Sequence, residues 1–175
     1  MTGIILDIGT GDGEFVYQLA KANPDRFIIG IDPNQKNLEK TSARLYKKTA
    51  KGGLKNALYV LASIEDLPEE LNGLANQIFI NFPWGSLLGG ITEPNEKIWK
   101  NLRRVSRPGA IIDILLPAEQ MPISEEWRQR LVKGGFRVER HEQIDADHLK
   151  SYPSEWAKRL AFGRDRHFLH LRIIV

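Results

Sequence analysis

"GIILDIGTGDGEFVYQLAKANPDRFIIGID", residues 3–32, is the stretch on which the fold turns. Residues 3–9 are an apolar run, broken only by Asp7, that ends on glycine, the pattern of a strand buried on both faces. Phe15, Val16, Leu19 and Ala20 then recur at helical spacing until Pro24 stops them. A second apolar run fills residues 26–32. Strand, tight turn, helix and strand in this order make one βαβ unit, whose two strands run parallel.

The pattern continues outward. A helix is predicted over 34–48 with Leu38, Ser42 and Leu45 on one stripe, and strands over 57–63, 76–82 and 110–117. "EKIWKNLRRV" and "EEWRQRLVKGGF" read as helices whose Trp99 and Trp127 belong to the core, and residues 136–144 and 166–175 read as two closing strands. Strands alternating with helices predict an α/β fold with a mainly parallel sheet. The longest irregular piece, 143–165, holds "SEWAKRLAF", where a serine cap and helical spacing predict a short helix. A chain of 175 residues suits a single domain spanning 1–175.

Apolar residues make up 42% and charged residues 27%, the balance of a globular protein. The apolar run 111–117 contains Asp113 and is far too short for a bilayer, so no membrane partner is expected. There is no cysteine and no secretory-signal pattern, which points to a reducing cytoplasm. Net charge is +3 and the pI near 9.2. The bases cluster at Lys36, Lys40, Arg44, Lys47, Lys48, Lys51 and Lys55, and again at Lys158, Arg159, Arg164 and Arg166. Each cluster suits a polyanion or is a solvated face.

"DIGTGDGEF" leaves strand one and opens a helix, where an α/β sheet takes nucleotide-like ligands. Gly9, Gly11 and Gly13 let the backbone turn sharply, but their G-x-G-x-G spacing is not that of a dinucleotide fingerprint. Carboxylates at Asp7 and Asp12 would repel a diphosphate and suit a ligand carrying an ammonium and a sulfonium. S-adenosylmethionine fits that description. Asp32 closes strand two, where it either accepts both ribose hydroxyls or caps the next helix. Glu65, after strand three, lies where the adenine end should emerge, or beside a surface turn. Pro33, Ile64 and Pro83 complete the set expected around the cofactor. A nicotinamide dehydrogenase is disfavoured by the glycine spacing and by the lack of room for a substrate domain.

"NFPWGSLL", residues 81–88, ends strand four. Pro83 stiffens the backbone, and the flanking proline and glycine argue for a loop that presents Trp84 as a stacking plate for a base. Trp156, in the long loop before the last strand, offers a second plate. Two indoles on one side of the sheet could hold a flipped adenine, with the neighbouring bases tracking phosphates.

"DIGTGDG", "NPDRFIIGID", "KGGLKNALYV", "NFPWGSLL" and "SEWAKRLAFGRDR" together resemble the aminoglycoside-resistance methyltransferases that modify N1 of adenine 1408 in 16S ribosomal RNA. The resemblance spans nearly the whole chain, and its two tryptophan motifs are the most specific. It implies an S-adenosylmethionine-dependent enzyme with a Rossmann-like, seven-stranded sheet, helices on both faces and an antiparallel last strand, acting as a monomer on the assembled 30S subunit. It assigns the cofactor to Asp7, Gly9, Thr10, Asp32, Glu65, Ser86 and Ser154, the base to Trp84 and Trp156, and the RNA to Arg44, Lys48, Lys51, Arg164 and Arg166, with Lys47 and Arg159 beside them. The family carries a further hairpin ahead of strand one, and a longer linker than "LPAEQMPISEEW"; both differences concern docking rather than chemistry.

N1 of adenine is a lone-pair nucleophile at neutral pH, so no general base is needed and positioning is the task. His141, His148, His167 and His170 are assigned to surface or structure, and no metal is expected. The residues leave three competitors. Residues 7–32 also resemble the tRNA guanine-N7 methyltransferases; a cofactor- or RNA-binding module without turnover and a small-molecule methyltransferase are the others.

Overall fold

The computed structural model describes residues 2–93, 95–120, 124–145, 149 and 167–175. Within them, seven strands form one sheet: β1 (Ile4–Ile8), β2 (Phe27–Asp32), β3 (Ala57–Leu61), β4 (Ala75–Asn81), β5 (Ser106–Pro117), β6 (Arg137–Ile144) and β7 (Phe168–Ile174). Their spatial order is β3-β2-β1-β4-β5-β7-β6. The first five run parallel, and β7 is antiparallel to both of its neighbours. The order reverses between β1 and β4, so the carboxyl ends of those strands flank the crevice in which such sheets bind ligands.

Helices cover both faces because strand side chains alternate. Ile5 and Ile28 point toward α1 (Glu14–Ala22), packing with Val16 and Ala20. Leu6, Ile8, Ile78, Ile80, Ile112 and Ile114 point the other way, toward α3 (Gly85–Thr92), α4 (Glu96–Val105) and α5 (Glu125–Lys133). Trp99 and Trp127 are core residues as expected, with rings edge-on at 6.3 Å. The Trp127 indole nitrogen donates to the Ile91 carbonyl at 2.8 Å, which spares a buried polar group. Buried Asp113 ties the strand junction together: Gln77 Nε2 of β4, and Arg172 Nε and His170 Nε2 of β7, each lie 2.8 Å from its oxygens. His170 is therefore structural, and His141 and His167 are exposed.

Two boundaries and one whole helix differ most from the sequence reading. Helix α2 (Gln35–Leu45) stops short of Lys48, because the chain folds back so that the Leu54 amide bonds the Leu45 carbonyl, after a single 3-10 turn at Thr49–Lys51. Its buried stripe is Leu38, Thr41 and Leu45, with Thr41 in place of Ser42. Strand β5 begins at Ser106, four residues earlier than expected, because Ser106 pairs with Ala75 across a register shift. Trp84 is followed at once by α3, which periodicity missed: "GSLLGGIT" has three glycines and a weak apolar stripe.

Candidate active site

The site is built on the turn that leaves β1. The amides of Gly9 and Thr10 both donate to the Ile31 carbonyl, at 2.8 and 3.1 Å, which folds the turn against β2. Gly9, Gly11 and Gly13 have φ of 75°, 58° and 74°, the left-handed region that side chains resist. Three side chains then grip three successive residues. Asp32 Oδ2 accepts the Gly11 amide at 2.9 Å, the Thr41 hydroxyl of α2 donates to the Asp12 carbonyl, and the Tyr59 phenol of β3 donates to the Gly13 carbonyl at 2.7 Å. A Cβ on Gly13 or on Gly30 would sit 2.6 or 2.7 Å from the Tyr59 ring, so these two glycines make the slot that admits it.

Asp32 Oδ1 accepts the Asn34 amide at 2.9 Å, while Asn34 itself caps α2 by accepting from Lys36. The cap alternative for Asp32 is thus filled by Asn34, and each Asp32 oxygen keeps a lone pair for a ligand. Asp7 is buried, and burial pushes its carboxyl up to about 7, with Asp32 and Asp12 adding repulsion while Thr10 and Asn81 oppose the rise. Asn81 Nδ2 donates to Asp7 at 3.3 Å. The Thr10 hydroxyl leans toward the same carboxyl yet completes no hydrogen bond of good geometry among the described residues.

These features fit S-adenosylmethionine. A proton-retaining buried carboxyl gains from a nearby cation, an orphaned hydroxyl gains from a polar ligand, and the space beside Gly11 is open to 4 Å. Asp12 is exposed at the turn and Pro33 after β2, while beyond β3 Ile64 is buried in the core and Glu65 is half-buried. Asn101 of α4 holds that last segment by donating to the carbonyls of Ile64 and Glu65, at 2.8 and 3.1 Å.

Across the crevice, "NFPWG" leaves β4 under strain. Phe82 has φ of 51°, held there by its amide bond to Leu115 at 2.7 Å and by edge-on packing against Phe168. Pro83 is buried, and Trp84 is turned out, 83% exposed at the N-cap position of α3. Leu87, one turn later, reaches within 2.9 Å of where a Cβ on Gly9 would be, so α3 rests against the glycine turn. Trp84 faces the loop after β2 across an open cleft of 660 Å³, lined also by Pro33, Asn34, Gln35, Lys36 and Glu39. Ser86 is exposed in the first turn of α3.

The structure thus gathers Asp7, Gly9, Thr10, Gly11, Asp12 and Asp32 at the turn that leaves β1, and sets Pro33 and Trp84 on one open cleft. Lys47, Lys48 and Lys51 are exposed on the neighbouring loop. The Arg44 guanidinium lies 3.3 Å from Glu14 and 3.6 Å above the Tyr17 ring, with its side chain still 40% exposed. Ser154, Trp156, Arg159, Arg164 and Arg166 lie outside the described residues. Sequence reading missed Thr41, Tyr59 and Asn101, whose only signal was a polar residue on an otherwise apolar stripe or strand. No group of acidic or histidine side chains suited to a metal ion occurs among the described residues.

The family model described as NpmA: 16S rRNA (adenine(1408)-N(1))-methyltransferase matches residues 1–122. The 16S rRNA (adenine(1408)-N(1))-methyltransferase of Escherichia coli is 36% identical over 184 residues, covering 95% of this chain and 84% of that protein. Its counterpart from Streptoalloteichus tenebrarius is 31% identical over 179 residues, covering 93% and 82%. Among solved structures, an antibiotic-related methyltransferase superimposes with a TM-score of 0.93 at 38% identity, covering 100% of this chain and 89% of that one. A tryptophan-to-alanine mutant of the Catenulisporales acidiphilia 16S rRNA (adenine(1408)-N(1))-methyltransferase, solved with its cosubstrate SAM, superimposes at 0.87 with 30% identity, covering 99% and 86%.

Proposed function

The chain belongs to the 16S rRNA (adenine(1408)-N(1))-methyltransferase family, and from that premise we propose that it methylates N1 of adenine 1408 in 16S rRNA of the 30S subunit, using S-adenosylmethionine. Bound, the cofactor supplies an electrophilic methyl group on a sulfonium. Asp7, Thr10 and the glycine turn hold its amino-acid end, Asp32 its ribose, and Ile64 and Glu65 its adenine. N1 of the target needs no deprotonation, so the residues facing it orient the base and exclude water.

One observation carries the base-binding part of this reading: a fully presented indole, Trp84, on a strained turn that rests against the cofactor turn. A base flipped onto Trp84 lies within reach of the crevice, and the family resemblance assigns Trp156 to its other face. An indole face also stabilises the positive charge that N1-methylation leaves on the base, by about 0.5–2 kcal/mol. Lys47, Lys48 and Lys51 meet phosphates of the same subunit.

The deciding experiment incubates purified chain with 30S subunits and cofactor, then runs primer extension across position 1408. Methyl on the Watson–Crick edge stops the polymerase there. Transfer to bulk tRNA with no stop at 1408 would overturn the reading.

A further inference from the structure

We infer that Thr41 and Tyr59 are positioning residues for the cofactor turn: they hold its backbone in the shape that S-adenosylmethionine binds, without touching the ligand. The inference rests on the cofactor assignment above and deepens it.

Left-handed glycines supply permission for a turn, not a shape, since glycine populates both signs of φ about equally. Something else must select the shape at Gly9, Gly11 and Gly13. Backbone bonds frame the turn, with the Gly9 and Thr10 amides on the Ile31 carbonyl and the Gly13 amide on the Thr10 carbonyl, and Asp32 fixes the Gly11 amide; the Asp12 and Gly13 carbonyls are gripped by side chains from α2 and β3. The two hydroxyls add anchors from outside the turn to this frame, the Gly13 carbonyl also accepting the Tyr17 amide at 3.0 Å. Thr41 pins the Asp12 carbonyl from α2, and Tyr59 pins the Gly13 carbonyl from β3.

Both donors are themselves immobilised. Thr41 is buried on the stripe that packs α2 to the sheet. The Tyr59 ring is enclosed by the missing side chains of Gly13 and Gly30, and burial together with the nearby carboxylates of Glu14, Asp7 and Asp12 raises its phenol above the ordinary range, so it remains a donor at any physiological pH. Ordering the turn beforehand removes that entropic cost from ligand binding.

The test uses Thr41→Val and Tyr59→Phe, which keep shape and delete the hydroxyl, and Thr41→Ser, which keeps it. Calorimetry with S-adenosylmethionine on the intact chain should show about tenfold weaker binding for Val and Phe, with Ser close to wild type. The KM for cofactor should rise more than kcat falls, and amide exchange at Gly11 and Gly13 should quicken in the ligand-free Val and Phe variants. Wild-type affinity in both deletions overturns the inference, as does a Ser variant as weak as Val, or affinity losses that merely follow lowered melting temperatures. A wild-type chain that binds no cofactor overturns the proposed function and this inference together. A wild type that binds while the variants are unaffected overturns this inference alone.

Discussion

Replacing Trp84 with alanine separates the two halves of the crevice. The indole is outside the cofactor turn, so Trp84→Ala should leave calorimetric affinity for S-adenosylmethionine within about twofold while lowering kcat/KM on 30S subunits by roughly ten- to hundredfold, the scale of one base stack removed. Equal loss of cofactor binding would contradict the stacking role. Asp7 makes a prediction of opposite kind. Its carboxyl holds its proton up to about pH 7, so in the free chain the fold avoids the cost of a buried charge below the ordinary carboxyl range, and that advantage is lost as pH rises toward 7. A cationic ligand favours the ionised form, and cofactor affinity should therefore climb by close to tenfold from about pH 6 to pH 7.5. Asp7→Asn should flatten that profile, weaken binding and raise the melting temperature of the free chain at about pH 8. Differential calorimetry across pH checks both signs. The acids and glycines of this site were legible because their chemistry is unusual at a strand exit. Thr41 and Tyr59 were not, because a hydroxyl's partner is a backbone carbonyl distant in sequence.

At the scale of the element, β1, α1 and β2 could be read directly, since buried parallel strands give continuous apolar runs and α1 has a clear stripe. Helix α3 could not. Its three glycines carry almost no propensity, and tertiary packing of Leu87 and Ile91 forms it. The strain at Phe82 belongs to the same junction. Phe82→Gly relieves the left-handed backbone but removes the ring that packs on Phe168, so the melting temperature should fall and KM for 30S should rise as the presentation of Trp84 loosens, as measured by thermal melting and steady-state kinetics. The β4-β5-β7 junction depends on Asp113. Burial works against its charge, but hydrogen bonds from His170, Arg172 and Gln77 prevail and hold its carboxyl below the usual range. The stabilisation is present above the unfolded carboxyl's pKa and lost as pH falls through the lower folded one. Asp113→Ala leaves Arg172 and Gln77 without their acceptor and should cost ~3 kcal/mol, lowering Tm by roughly 6–12 °C.

For the molecule as a whole, three exposed lysines gathered on the connection between α2 and β3 turn a small net charge into a directional one. Removing Lys47, Lys48 or Lys51 singly should weaken 30S binding and reduce the slope of log affinity against log salt by about 0.7–0.9 for each phosphate that is no longer neutralised. Arg44→Ala should also lower stability, because its head joins α2 to Glu14 and Tyr17. Composition and alternation announced the α/β class and the carboxyl-end crevice. They said nothing of the closing order, in which β7 slips between β5 and β6. That order has a consequence for synthesis. Among the described residues, strand β6 finds its sheet partner only in β7, so when it leaves the ribosome that partner has yet to be made. A nascent chain arrested before residue 168 would expose β5's free edge and an unpaired β6 together, and translation pauses there should leave the polypeptide unusually open to proteases and chaperones.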